Sequence, residues 1–158
     1  MQDLVEHLSI LLAEKGWKIV AAESCTGGLL AAAITHRPGS SQIFERGFVT
    51  YSNEAKMECL GVSAETLEKY GAVSDQTAEE MALGALKHSK ADLAISITGI
   101  AGPDGGSHNK PVGLVYFGYA LKGGSSGSLH EKRFPCTVKF MPITPEKNTN
   151  TTINRQSI

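Results

Sequence analysis

Residues 17–39 read WKIVAAESCTGGLLAAAITHRPG, and the succession of residue types along them decides the fold. "WKIVAAES" is a short apolar run suited to a buried strand, and "TGGLLAAAITHRPG" has an apolar helical body stopped by Arg37, Pro38 and Gly39. Strand, tight turn and helix follow one another directly. Such a turn aims the helix's unpaired N–H groups at whatever sits above it, and that position favours negative charge. Two uses fit the residues. The turn can cradle a phosphate with Ser24 as a helix cap, or it can hold the oxyanion formed when Ser24 attacks a carbonyl. Gly27 and Gly28 allow close backbone approach in either case.

Upstream, Leu4, Leu8, Leu11 and Leu12 recur at helical spacing, with Lys15 in the last turn and Gly16 as the stop. Downstream, "ERGFVTYS" has the β-branched and aromatic content of a second strand. Ser52 then caps a short helix, "NEAKMECL", that Gly61 ends, and Ser63 and Gly71 bracket another. From Ser74, the residues Ala78, Met81, Ala82, Ala85 and Leu86 fall on one helical face and form core. "DLAISITG" is a compact strand that enters the loop "GIAGPDGGSHNKPVG", a glycine-rich stretch too long to be only a turn. "LVYFGYAL" is a buried strand, "KGGSSG" a turn, and "SLHEKRF" a polar strand suited to a sheet edge. Strands interspersed with helices predict a layered α/β fold with the last two strands antiparallel. The core spans residues 1–134 as one domain. Residues 135–158, with prolines at 135, 142 and 145 and then a polar run, are expected to be a disordered tail.

The chain has 158 residues, 41% of them hydrophobic and 20% charged, which suits one domain with one sizeable core. Its formal net charge of -1, with lysines scattered, provides no footprint for nucleic acid. The first seventeen residues carry Asp3, Glu6, His7 and Glu14 among their apolar positions, so they form neither a signal core nor a membrane span, and a cytoplasmic protein is expected. Cys25, Cys59 and Cys136 form no CxxC pair, and no histidine stands at zinc-like spacing, so neither disulfide nor metal is expected. Cys25 reads as a small buried residue rather than a nucleophile. The five histidines share no motif with a serine or carboxylate, which leaves a histidine-based triad unsupported.

A nucleophilic Ser24 needs a base, and unrelated folds use lysine as well as histidine. Lys56 is the candidate. "YSNEAK" puts Tyr51 at a strand end and Lys56 near the start of the next helix, whose positive end disfavours an ammonium. To work as a base near neutrality its pKa must fall well below the ordinary value of roughly 10.4, which requires a desolvated pocket. Tyr51 can relay the proton or orient the amine. Taken singly, each residue has a plainer reading: Ser24 as cap, Tyr51 as core, Lys56 as solvated surface. Glu23 reads as a structural hydrogen-bond acceptor. In the long loop, Asp104, Ser107 and Asn109 are polar groups able to hold a sugar or an amide.

"AESCTGGLLAAAIT", "VTYSNEAK", "VS", "SITGIAGPDGG" and "KPVGLVYFG", in that order, resemble the CinA C-terminal domain family. The resemblance covers roughly the first four-fifths of the chain, and several ordered motifs are far more specific than one serine–glycine turn. It implies a three-layer α/β/α sandwich with a mixed sheet, a homo-oligomer, and no metal or cofactor. The implied activity is hydrolysis of the carboxamide of nicotinamide mononucleotide to nicotinate mononucleotide and ammonia, in pyridine nucleotide recycling. The implied catalytic residues are Ser24, Lys56 and Tyr51. Backbone around Cys25, Thr26, Gly27 and Gly28 is expected to hold the oxyanion. Thr98, Gly99, Ala101, Gly102, Gly105 and Gly106 are expected to meet the ribose phosphate. Relatives usually end in a Gly-Asp-Arg-like segment and a closing amphipathic helix, where this chain has "FPCTVKFMPITPEKN". That departure keeps a second reading open, a catalytically lapsed nucleotide-binding or scaffold protein of the same fold.

Overall fold

A computed structural model describes residues 2–133. The tail from Pro135, Cys136 and the altered terminus lie outside the described residues. Eleven elements follow in order: α1 (Gln2–Lys15), β1 (Ile19–Glu23), α2 (Leu29–Thr35), a 3-10 turn (Ser40–Gln42), β2 (Phe44–Val49), α3 (Asn53–Leu60), α4 (Ala64–Tyr70), α5 (Asp75–Lys87), β3 (Leu93–Gly99), β4 (Leu114–Leu121) and β5 (Ser126–Arg133).

The five strands form one mixed sheet in the order β2-β1-β3-β4-β5. β1 runs parallel to both neighbours, and β3–β4 and β4–β5 are antiparallel. The last pairing is the one expected. The antiparallel β3–β4 pair was not read from the sequence, because a long loop is compatible with either direction, and here residues 100–113 simply return the chain. Helices cover both faces. Val20, Ala22 and Ala94 pack with Met81, Ala82 and Ala85 of α5, while Ile19 turns to the other side against Leu12 of α1 and Ile34 of α2. The period-two alternation of side chains sends neighbours to opposite faces, so a wholly buried β1 requires two apolar layers.

The helix starts follow from single side chains. Ser52, Ser63 and Ser74 cap α3, α4 and α5, each hydroxyl accepting the N–H three residues on. Glycine permits the closest packing: a Cβ on Gly84 of α5 would fall on the Leu60 carbonyl, and one on Gly118 of β4 on the Ala78 carbonyl. The chain leaves β1 toward β2 on one side and reaches β3 on the other. The carboxyl ends of β1 and β3 therefore flank a topological switch point, where open α/β sheets bind ligands.

Candidate active site

Ser24 stands at that switch point, one residue past β1, where its N–H donates to the Ile97 carbonyl of β3 at 2.9 Å. The turn after it is built by glycine and by Glu23. Gly27 and Gly28 take left-handed φ angles of 58° and 104°, so α2 begins at Leu29 rather than in the "TGG" stretch. The side chain of Glu23, 1% exposed, accepts from the N–H groups of Gly28 at 3.2 Å, Leu30 at 3.0 Å and Ala31 at 2.8 Å. Glu23 is thus the structural acceptor expected, and it caps α2 in place of Ser24.

That capping frees the Ser24 hydroxyl for another partner. Lys56, in α3, is only 1% exposed, and its Nζ lies 2.9 Å from Ser24 Oγ and 2.8 Å from the Thr50 carbonyl. No carboxylate pairs with it among the described residues. Burial pushes the Lys56 amine below its ordinary value of 10.5, a charge interaction with Cys25 opposing the shift. Burial thus shifts the balance toward the neutral amine at the position where it touches a serine hydroxyl.

Ser24 and Lys56 open on a cavity of about 280 Å³. Of the residues expected to bind substrate, Cys25, Thr98, Gly99, Ala101, Gly102 and Gly105 line it, as does Tyr51. Thr26, Gly27, Gly28 and Gly106 do not line it. The reasons are local. The N–H of Gly27 donates to the Ser24 carbonyl at 3.1 Å and that of Gly28 to Glu23, the Thr26 hydroxyl is buried within the turn, and Gly106 packs against Val112. Thr26 is left as the turn residue whose N–H is uncommitted among the described residues, the Cys25 N–H facing its own thiol. Tyr51 is 75% exposed, neither core nor bonded to Ser24 or Lys56. Cys25 is half-buried rather than core, and burial raises its thiol above 9.0, which keeps it protonated.

Sequence reasoning missed Ala72 and Val73, which form a wall, and the Thr50 carbonyl, which anchors the lysine. A backbone carbonyl carries no residue-type signal. The wall is held by hydroxyls: Thr98 Oγ1 donates to the Ala72 carbonyl at 2.7 Å, and Thr77 and Ser74 both donate to the Gly71 carbonyl. Glu23→Ala would leave three N–H groups without their acceptor, so it is expected to cost about 2–4 kcal/mol of stability. Chemical denaturation measures this; an unchanged midpoint would show that water replaces the carboxyl at no cost.

The model for the CinA C-terminal domain matches residues 1–136. The chain belongs to the CinA C-terminal domain family. Similar relatives include "Nicotinamide-nucleotide amidohydrolase PncC" of Enterobacter agglomerans, 60% identical over 78% of this chain and 76% of that protein. The protein of the same name from Escherichia coli strain K12 is 55% identical over 78% of this chain and 75% of its own. Among solved structures, the competence/damage inducible protein CihA from Agrobacterium tumefaciens superposes with a TM-score of 0.82 at 48% identity, covering 85% of this chain and 81% of that one. That likeness agrees with the three-layer α/β/α sandwich described above. No helix among the described residues is long and apolar enough to cross a membrane.

Proposed function

We propose that this chain is an amidase that hydrolyses the carboxamide of nicotinamide mononucleotide, giving nicotinate mononucleotide and ammonia. The observation that carries the reading is the buried contact between Lys56 Nζ and Ser24 Oγ, 2.9 Å, with no carboxylate beside the amine. Two relatives bearing the name of that amidohydrolase, at 55% and 60% identity, support the substrate.

In this reading one N–H of the neutral Lys56 amine stays on the Thr50 carbonyl, which turns the nitrogen lone pair toward Ser24. Lys56 takes the hydroxyl proton as Oγ attacks the amide carbon, and the new oxyanion lies against the N–H groups of Cys25 and Thr26. Lys56, now an ammonium, gives the proton to the departing nitrogen, so ammonia leaves and the amine is neutral again. Water then attacks the acyl-serine ester with the same lysine as base, and Ser24 is restored. Tyr51, an exposed ring on the cavity wall, offers a face for the pyridine ring to stack on. The backbone of Gly102, Asp104 and Gly105 is the proposed neighbour of the ribose phosphate. The reading includes a cytoplasmic homo-oligomer; Leu4 and Leu11, apolar and exposed on α1, support the assembly.

The test is ammonia release from nicotinamide mononucleotide by the purified chain. Stoichiometric ammonia and nicotinate mononucleotide are expected. Calorimetric binding of the nucleotide with no ammonia would instead assign the chain to the lapsed, nucleotide-binding reading.

A further inference from the structure

Two walls of the cavity come from segments distant in sequence. The loop after β3 contributes Ile100 to Gly102, Asp104 and Gly105, and the connection between α4 and α5 contributes Ala72 and Val73. The Lys110 side chain ties the two together. Lys110, near the end of the loop, donates from Nζ to the Tyr70 carbonyl at 2.8 Å and to the Val73 carbonyl at 2.8 Å. Tyr70 is the last residue of α4, where carbonyls lack helical partners, and Val73 itself lines the cavity. No carboxylate pairs with Lys110 among the described residues.

Both sides are shaped for this contact. Gly71 has φ +79°, and a Cβ there would come within 3.1 Å of Lys110 Nζ, so the ammonium sits where a side chain at 71 would crowd it. On the loop side, the Ser107 N–H donates to the Lys110 carbonyl at 2.8 Å and the Lys110 N–H to Ser107 Oγ at 3.1 Å, which fixes the turn that presents the lysine. The base of the loop is closed by Ile100 and Gly113, through the Gly113 N–H donating to the Ile100 carbonyl at 2.7 Å. Between these anchors, the cavity-lining stretch from Ala101 to Gly105 is held against the opposite wall through Lys110.

We propose that Lys110 is a positioning residue that sets the width of the nucleotide-binding part of the cavity by clamping the 100–113 loop to the α4–α5 connection. The substrate part of this inference rests on the amidase reading above. Ser24 and Lys56 sit on β1's end and on α3, and neither bonds to the loop. Loss of the clamp should therefore weaken substrate binding and leave the chemistry nearly intact.

Lys110→Met keeps the length of the side chain and removes its donors. It is expected to raise KM for nicotinamide mononucleotide about tenfold or more while kcat stays within about threefold, the pattern of lost uniform binding. Amide hydrogen exchange across residues 101–109 should accelerate in the same variant. Lys110→Arg, which can reach the same two carbonyls, should restore most of the KM. Gly71→Ala should raise KM as Lys110→Met does, and the double variant should be no worse than either single one. An unchanged KM with unchanged exchange, or a joint fall of kcat and thermal midpoint, would overturn the proposal. If the wild type releases no ammonia, the amidase reading falls instead. The exchange comparison between wild type and Lys110→Met then decides the clamp alone, since it needs no turnover.

Discussion

Ser24→Ala is expected to release no measurable ammonia from nicotinamide mononucleotide while binding the nucleotide about as well as the wild type. The substitution removes one oxygen from a residue 7% exposed and leaves the turn intact, because the turn is held by Glu23 and by the two left-handed glycines. Lys56 keeps its bond to the Thr50 carbonyl and so keeps its place. What disappears is the atom that attacks. The remaining backbone donors still hold an oxyanion, and in other serine hydrolases such donors leave roughly 10³–10⁴-fold over water. Against uncatalysed amide hydrolysis that residue falls below an ammonia assay. Turnover near wild type would remove Ser24 from the chemistry and the mechanism with it.

Lys56→Met is the second large effect. A general base contributes about 10²–10⁴-fold, and here the same amine serves both acylation and deacylation, so a loss of at least about 10³ in kcat/KM is expected. The same variant has a signature in stability. Well below the lowered pKa, Lys56 is an ammonium in both folded and unfolded chains, and the folded state bears its desolvation. Between that value and 10.5 the unfolded chain binds a proton that the folded chain does not, so stability rises with pH; above 10.5 the rise is complete. Lys56→Met has nothing to titrate at this position and lacks that rise. Denaturation at several alkaline pH values for both proteins measures the difference, which includes the smaller charge interaction of Lys56 with Cys25. Parallel curves would mean that Lys56 is not desolvated in the folded protein.

The fold was legible where one residue fixes one feature. Ser52, Ser63 and Ser74 each head a helix, and Gly61 and Gly71 each end one, because capping is local chemistry that survives any tertiary arrangement. The start of α2 was misplaced by three residues because Gly27 and Gly28 suit both a helix entry and a left-handed turn. Only the buried Glu23, reaching past Ser24, decides between them. At the site, the pairing of Ser24 with Lys56 was anticipated by family resemblance and by the helix-start position of the lysine. The spacing of 32 residues carries no such message. Tyr51 lines the cavity with an exposed ring and bonds to neither Ser24 nor Lys56, a side-chain direction that residue type does not encode. Ala72, Val73 and the Thr50 carbonyl act through backbone position, which residue type does not encode. Lys110 was not singled out in the sequence, since its two carbonyl partners on the other wall exist only once the chain has folded.

The central claim is that an uncharged amine on Lys56 touches the Ser24 hydroxyl. Nuclear magnetic resonance titration of the Lys56 side chain, assigned by its loss in Lys56→Met, measures that charge state directly. A Lys56 pKa below 10.5 is the result this account predicts. A Lys56 pKa at or above 10.5 would contradict it.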